Sequence, residues 1–104
     1  MWQALDATKA IAHFIDGRSL EQFLGDLMLR SAVERQCEII GEAFSRLGRI
    51  SPETAARLPE WRDAIDFRNL IAHGYDAVDP TRIWRTVTGQ VPTLARRLEA
   101  MLQA

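Results

Sequence analysis

The chain has little of what builds disulfides, membrane spans or sheets. Only one of its 104 residues is a cysteine, which excludes an internal disulfide and fits a reducing cytoplasm. No apolar run approaches the roughly 20 residues that a membrane helix needs. The N-terminus also lacks the basic start and apolar block of a secretion signal. We therefore expect a cytoplasmic protein that does not enter the membrane.

Positive charge is not in excess, since the formal net charge is −1. Overall charge would not draw such a chain to nucleic acid, so any patch that binds it must be local or assembled from two subunits. Lysine is almost absent, because Lys9 is the only lysine beside twelve arginines. Arginine favours contacts with carboxylate or phosphate through two donors, although genomic base composition also explains this bias.

Apolar residues recur at spacings of three and four along most of the sequence, and no alternating run indicates a strand. This pattern predicts long helices over about 2–15, 27–47, 59–73 and 80–104, the second of them ending before Gly48. Pro92 should bend the last helix. Four long helices with short connections predict an all-α, antiparallel up-and-down four-helix bundle. No linker or repeat divides the chain, so we expect one domain over residues 1–104.

Short segments between the long helices carry typical helix starts. Ser19–Gln22 reads SLEQ, a capping box that predicts a short extra helix. Ser51 and Pro52 indicate another helical start, with the serine as cap and the proline in the first position. Asp79 is similarly placed to cap the last helix.

Two features of the long helix over 27–47 concern side-chain chemistry. Glu38 and Glu42 lie one turn apart, and we expect them to form a solvated face or to pair with an arginine such as Arg35 or Arg46 rather than to bind a metal. Cys37 lies on the apolar seam without a neighbour that would activate its thiolate, so we expect an inert thiol.

The most informative stretch is RNLIAHGY at residues 68–75, at the end of a predicted helix. Asn69 and His73 share a helix face, one turn apart. The helix C-terminus favours a protonated imidazole at His73, which can exchange a proton near neutral pH. Arg68 can hold a phosphate with two donors. Together they suit RNA cleavage through the RNA's own 2′-hydroxyl, a reaction that needs no metal.

An ordinary helix C-terminus without a catalytic role would explain the same stretch. Gly74 permits the left-handed turn that ends a helix, and this turn could bring Tyr75 back beside His73. Cations and glycine are also common at ordinary helix C-termini, where they have no catalytic role. The spacing alone therefore leaves a structural cap and a phosphate-handling site both open.

RNLIAHGY resembles the R-x-x-x-x-H-x-Y motif of HEPN-fold ribonuclease toxins, specifically the HepT-like family that pairs with an MNT-type nucleotidyltransferase antitoxin. SLEQFLGD, RSAVERQCEIIGEAFSRL and IWRTVTGQVPTLARRLEAML are similar to the family's other helices, in the same order. The resemblance covers essentially the whole chain, although the N-terminus is shorter than is usual for the family.

The resemblance implies a HEPN-like helical domain that forms a homodimer, with an active site where the motifs of two subunits meet. It implies a metal-independent endoribonuclease toxin of a type II toxin–antitoxin pair, without a cofactor, acting on transfer RNA or messenger RNA. Carried over, Arg68 and His73 are the catalytic pair, and Asn69 orients the phosphate or His73. Tyr75 matches the tyrosine that the nucleotidyltransferase modifies with AMP, a change that would block RNA. The same helices would also serve a non-catalytic binding subunit of a nucleotidyltransferase complex, and the sequence leaves that alternative open.

Overall fold

The computed structural model describes residues 1–73 and 79–103, and only the backbone of residues 72 and 73. Within these ranges all regular structure is helical, which confirms the predicted all-α class. Four helices are long and two are short, and the two short ones lie where the sequence predicted helical starts, after Ser19 and at Pro52. In chain order they are α1 (Trp2–Ile15), α2 (Leu20–Leu24), α3 (Leu27–Ile50), α4 (Pro52–Ala56), α5 (Trp61–His73) and α6 (Pro80–Gln103).

The four long helices run alternately up and down, as predicted. Side-chain contacts fix their directions, because each joins the start of one helix to the later part of another. These contacts are Gln3 with Arg46, Trp61 with the Phe44 carbonyl, and Glu60 with Arg97. They make α1 and α5 antiparallel to α3, and α5 antiparallel to α6. The directions agree with the short connections between neighbouring helices.

The core lies mainly between α1, α3 and α6. Each of these helices has one apolar stripe that is buried, because residues three and four apart share a face. The buried apolar residues of the three helices are Ala4, Leu5, Ala7, Ile11, Leu29, Val33, Cys37, Ile40, Ala43, Phe44, Ile83, Val87, Val91, Leu94 and Leu98. Phe23 of α2 and Leu58 complete the cluster.

Helix α5 lies at the edge of this core and packs mainly against α3. Phe67 and Ile71 are partly buried against the core, as the apolar spacing predicted. The same spacing of apolar residues in the sequence also predicts Leu70 on the core side, but this side chain is 37% exposed. The reason is that α3 covers only one face of α5, and Leu70 lies outside that face.

Two predicted details at the end of α3 were wrong. The helix does not stop before Gly48 but continues to Ile50. Gly48 lies against the indole of Trp61, where an added Cβ would be 2.6 Å from Cζ2, so this glycine permits a close approach of two helices. The Ser51 side chain does not cap α4, because its hydroxyl donates to Oγ1 of Thr54 at 2.8 Å.

Other predicted helix ends are confirmed. Ser19 and Gln22 form the complete capping box at the start of α2. Oδ1 of Asp79 accepts a hydrogen bond from the Thr81 amide at 3.0 Å, as expected of a cap before α6. Pro92 lies inside α6, and the bend expected at this proline stays a prediction. None of the helices in the described part of the chain has the length and apolar character needed to cross a bilayer.

Candidate functional site

The predicted motif occupies the second half of α5. Arg68 and Asn69 lie within the helix, and His73 is its last residue, one turn beyond Asn69. The side chain of His73 lies outside the described residues, as do Gly74 and Tyr75 entirely. The pairing of Arg68 with His73 and the position of Tyr75 therefore stay predictions.

Arg68 packs directly against the backbone of α3. Its Cβ and Cγ lie 2.1 Å and 2.6 Å from the point where a Cβ on Gly41 would stand. Any larger residue at position 41 would collide with the aliphatic stem of the arginine. The stem thus lies across α3 while the side chain stays 30% exposed, the usual arrangement of a long cationic side chain at a surface.

The guanidinium of Arg68 has one neighbour on its own helix and one on α3. Its Nη1 donates a hydrogen bond of 3.1 Å to Oδ1 of Asn69. Its Nη2 lies 3.9 Å from Oε1 of Glu42, too far for a hydrogen bond. Its Nε is buried and has no acceptor among the described residues. A guanidinium has five N–H donors, so Arg68 keeps donors that a ligand could engage.

A row of charged side chains on α3 runs beside the motif. Nη1 of Arg35 lies 3.2 Å from Oε2 of Glu38 and 3.3 Å from Oε1 of Glu42. Of the expected alternatives, a solvated face or an ion pair, the structure has the ion pair, and its arginine is Arg35, whereas Arg46 donates a hydrogen bond to Gln3. Because these pairs are exposed, each contributes only about 0–1 kcal/mol to stability.

Burial changes the pKa of two groups on α3. It raises the pKa of the Cys37 thiol to about 12, and the nearby carboxylates of Glu34 and Glu38 add to the shift. The thiol therefore stays protonated at neutral pH, in agreement with the expected inertness. Burial also raises the pKa of Glu34 above its ordinary value, while the positive charge of Arg30 opposes the change.

A cavity of about 350 Å³ lies between α5 and α6, with part of α3 as its floor. Its walls are mostly apolar and include Cys37, Phe67 and Leu94. Arg68 and Asn69 do not line it, so these two side chains lie on another side of α5 from the cavity. Among the residues whose side chains are described, no group of three or more His, Cys, Asp or Glu is placed to hold a metal ion.

Sequence reasoning missed the close fit between α3 and the motif. Gly41 and the contact between Glu42 and Arg68 were not predicted, because both depend on residues that are far apart in the chain. The available signal was a glycine inside a strongly helical pattern, which usually has a packing reason. Gly41 and Gly48 are spaced by seven residues, or about two helical turns, and therefore lie near the same side of α3.

Comparisons with known proteins give a consistent result. A family model described as ribonuclease HepT-like matches residues 4–101. A protein of Caldanaerobacter subterraneus subsp. tengcongensis, named a "putative RNase", is 33% identical over 86% of this chain and 79% of its own length. A "probable ribonuclease HepT" of Thermococcus cleftensis is 31% identical over 92% of this chain and 86% of its own. A "putative RNase" of Methanocaldococcus jannaschii is 27% identical over 95% and 90%. No solved structure matches the chain.

Proposed function

The chain belongs to the ribonuclease HepT-like family, and from this membership we propose that it is an endoribonuclease that cleaves RNA without a metal ion. One observation of the site carries the proposal. Helix α5 holds the guanidinium of Arg68, oriented by Asn69, and ends at His73 one turn later. A fixed cation and a histidine at a helix C-terminus can supply two of the roles that cleavage through the 2′-hydroxyl requires, charge stabilisation and one proton transfer.

In the proposed reaction the 2′-oxygen of one nucleotide attacks the adjacent phosphorus, and the bond from phosphorus to the 5′-oxygen breaks. A base removes the 2′-hydroxyl proton, and an acid protonates the leaving 5′-oxygen. The products are a 2′,3′-cyclic phosphate and a free 5′-hydroxyl. His73 transfers one of these protons, and Arg68 stabilises the negative charge that develops on the phosphoryl oxygens.

A homodimer completes this site. One motif offers a single histidine, whereas the reaction moves two protons, so a second copy of the motif supplies the other group. The dimer also accounts for how a chain with a net charge of −1 could attract RNA. Two copies of Arg68 in one cleft create the local positive charge that a single chain lacks, and RNA is attracted to that charge.

The proposal extends to regulation. The chain acts as the toxin of a type II toxin–antitoxin pair in the cytoplasm, and its targets are transfer RNA or messenger RNA. Its partner is an MNT-type nucleotidyltransferase that transfers AMP to Tyr75, two residues beyond His73. The added nucleotide carries a negative phosphate and considerable bulk. Placed beside Arg68 and His73, it would repel the RNA backbone and fill the cleft.

The testing experiment incubates the purified, unmodified protein with total cellular RNA in the presence of EDTA. His13, the other histidine of the chain, is exposed on α1 and offers a matched control. The wild type and His13→Ala should both cleave RNA and leave 2′,3′-cyclic phosphate ends. His73→Ala should lose cleavage while keeping its fold and its dimer.

Three results would contradict the proposal. Unfolding of His73→Ala would identify His73 as a structural cap. Cleavage that depends on an added metal would exclude the mechanism. Absence of cleavage by a folded, unmodified wild-type dimer would favour the non-catalytic subunit of a nucleotidyltransferase complex.

A further inference from the structure

The carboxylate of Glu42 lies between two guanidiniums. Its Oε1 is 3.3 Å from Nη1 of Arg35 and 3.9 Å from Nη2 of Arg68. Arg35 stands two turns earlier on α3, and Arg68 comes from α5, so the two cations are carried by different helices. A single anionic oxygen within reach of two arginines is the arrangement that a phosphate oxygen adopts when two guanidiniums bind it.

This carboxylate is held loosely. The side chains of Arg35, Glu42 and Arg68 are 57%, 35% and 30% exposed, so water competes for all three. Ion pairs between such groups contribute little, and the separation of 3.9 Å from Arg68 is not a hydrogen bond. Glu42 can therefore turn into solvent without breaking any contact of the apolar core.

The charges also allow an exchange of anions. If Glu42 turns away, Arg35, Arg68 and Glu38 together keep one net positive charge, with Glu38 still 3.2 Å from Arg35. A phosphodiester carries one negative charge and would restore neutrality. Because it would take the place of one carboxylate, the local charge balance would be the same before and after binding.

We propose that Arg35 and Arg68 together form a phosphate-binding subsite for RNA, and that the Glu42 carboxylate occupies this subsite when RNA is absent. The inference rests on the proposed function, since that function supplies RNA as the ligand. It assigns Arg35 as a second RNA-binding residue, outside the motif. It also locates a site that gains one positive charge when Glu42 turns away, on a chain whose net charge of −1 does not favour RNA.

The test measures binding of a single-stranded RNA whose 2′-hydroxyls are all methylated, so that it cannot be cleaved. Fluorescence anisotropy gives the dissociation constant at several salt concentrations for the wild type, Arg35→Gln, Glu42→Gln and Arg57→Gln. Arg57 is the matched control, because it is an exposed arginine that follows α4, beyond the far end of α3. The distance along α3 from Arg35 to the C-terminal end of the helix is more than about 20 Å, so Arg57 lies well away from the proposed subsite.

The two substitutions at the subsite should act in opposite directions. Arg35→Gln should weaken binding about fivefold relative to Arg57→Gln, and it should reduce the slope of log K against log salt by about 0.7, the value for one phosphate contact of a single strand. Glu42→Gln should tighten binding about threefold, because it removes the competing anion without removing a cation.

Several outcomes overturn the inference. If Glu42→Gln binds RNA no better than the wild type, Glu42 only orients Arg68. If Arg35→Gln and Arg57→Gln lose affinity for RNA equally, Arg35 contributes no more to RNA binding than an exposed arginine elsewhere on the surface. If the wild type does not bind the RNA at all, there is no subsite. Thermal melts of each variant establish that the folded protein is compared.

Cleavage, measured separately on unmodified RNA, distinguishes this inference from the proposed function. Binding changes in the expected order, without any cleavage, would keep the subsite and refute the ribonuclease. Cleavage by the wild type, with binding unchanged in both subsite variants, would keep the ribonuclease and refute the subsite.

Discussion

The close contact between α3 and α5 predicts the outcome of a substitution at Gly41. In Gly41→Ala the new Cβ would stand 2.1 Å from Cβ of Arg68, 2.6 Å from its Cγ and 3.1 Å from the Ala64 carbonyl oxygen. Carbon atoms pack at about 3.5–4.0 Å, so the two helices must separate by about 1.5 Å. The clashing atoms are next to the backbone of α5, and therefore a rotamer change cannot relieve the contact.

Two opposing effects determine how much Gly41→Ala changes the free energy of unfolding. Alanine is favoured over glycine in a helix interior by about 1 kcal/mol. Overpacking at a tight helix contact costs about 1–3 kcal/mol. Gly89 of α6 separates these effects, because a Cβ there would meet nothing within 4 Å. Gly89→Ala should gain the helix preference alone, so Gly41→Ala should be less stable than Gly89→Ala by about 1–3 kcal/mol.

Urea denaturation followed by circular dichroism measures this difference, and for a domain of this size each kcal/mol corresponds to about 4–8 °C in melting temperature. RNA cleavage by Gly41→Ala should also fall, because Arg68 moves with α5. The reasoning is refuted if the two alanine variants are equally stable, since Gly41 would then have no steric role. It is also refuted if Gly41→Ala loses stability while its cleavage rate is unchanged.

Further predictions concern single side chains. Trp61→Phe should lower the free energy of unfolding in urea by about 1–2 kcal/mol, because it removes the 2.8 Å hydrogen bond from Nε1 to the Phe44 carbonyl. Trp2→Phe, at a position that is 61% exposed, should leave that free energy unchanged. Equal losses of stability in the two variants would contradict this. Cys37 is 5% exposed, and burial raises the pKa of its thiol to about 12. At pH 8, Ellman's reagent should therefore label it at least about tenfold more slowly in the native protein than in urea. Equal labelling rates would contradict the burial of this thiol. Tyr75→Phe should cleave RNA but should not be silenced by the nucleotidyltransferase. If the nucleotidyltransferase still silences this variant and still transfers AMP to it, the modified residue is not Tyr75.

The sequence predicted the helices well because each depends on local patterns. The bounds of α1 follow from apolar spacing near the N-terminus and Gly17, and the capping box of α2 is contained within four residues. The pairing of Arg35 with Glu38 and Glu42 was also predictable, since both glutamates lie on the same helix as Arg35, three and seven residues later, and so near the same face. These features need no knowledge of the tertiary fold.

Features that depend on distant residues could not be predicted in the same way. A glycine after an apolar stretch usually ends a helix, but Gly48 continues α3 because Trp61, thirteen positions later, needs the space of its missing side chain. Leu70 has helical spacing suited to the core, yet α3 covers α5 on one face only. The position of Arg68 on Gly41 likewise requires knowing which face of α5 meets α3. The predicted roles of His73 and Tyr75 stay predictions.

Gly41 and Gly48 together determine how far α5 can slide along α3. Trp61 fits against one glycine and Arg68 against the other, and the two glycines are about 10 Å apart along the helix axis. A shift of α5 by a single residue would place both side chains against ordinary residues of α3 and lose both fits. The axial position of the α5 C-terminus, and so of the His73 backbone, is therefore set by contacts at Arg68 and Trp61, about one and a half turns and about three turns before it. Substitutions at Gly48, remote from the motif, would consequently displace it.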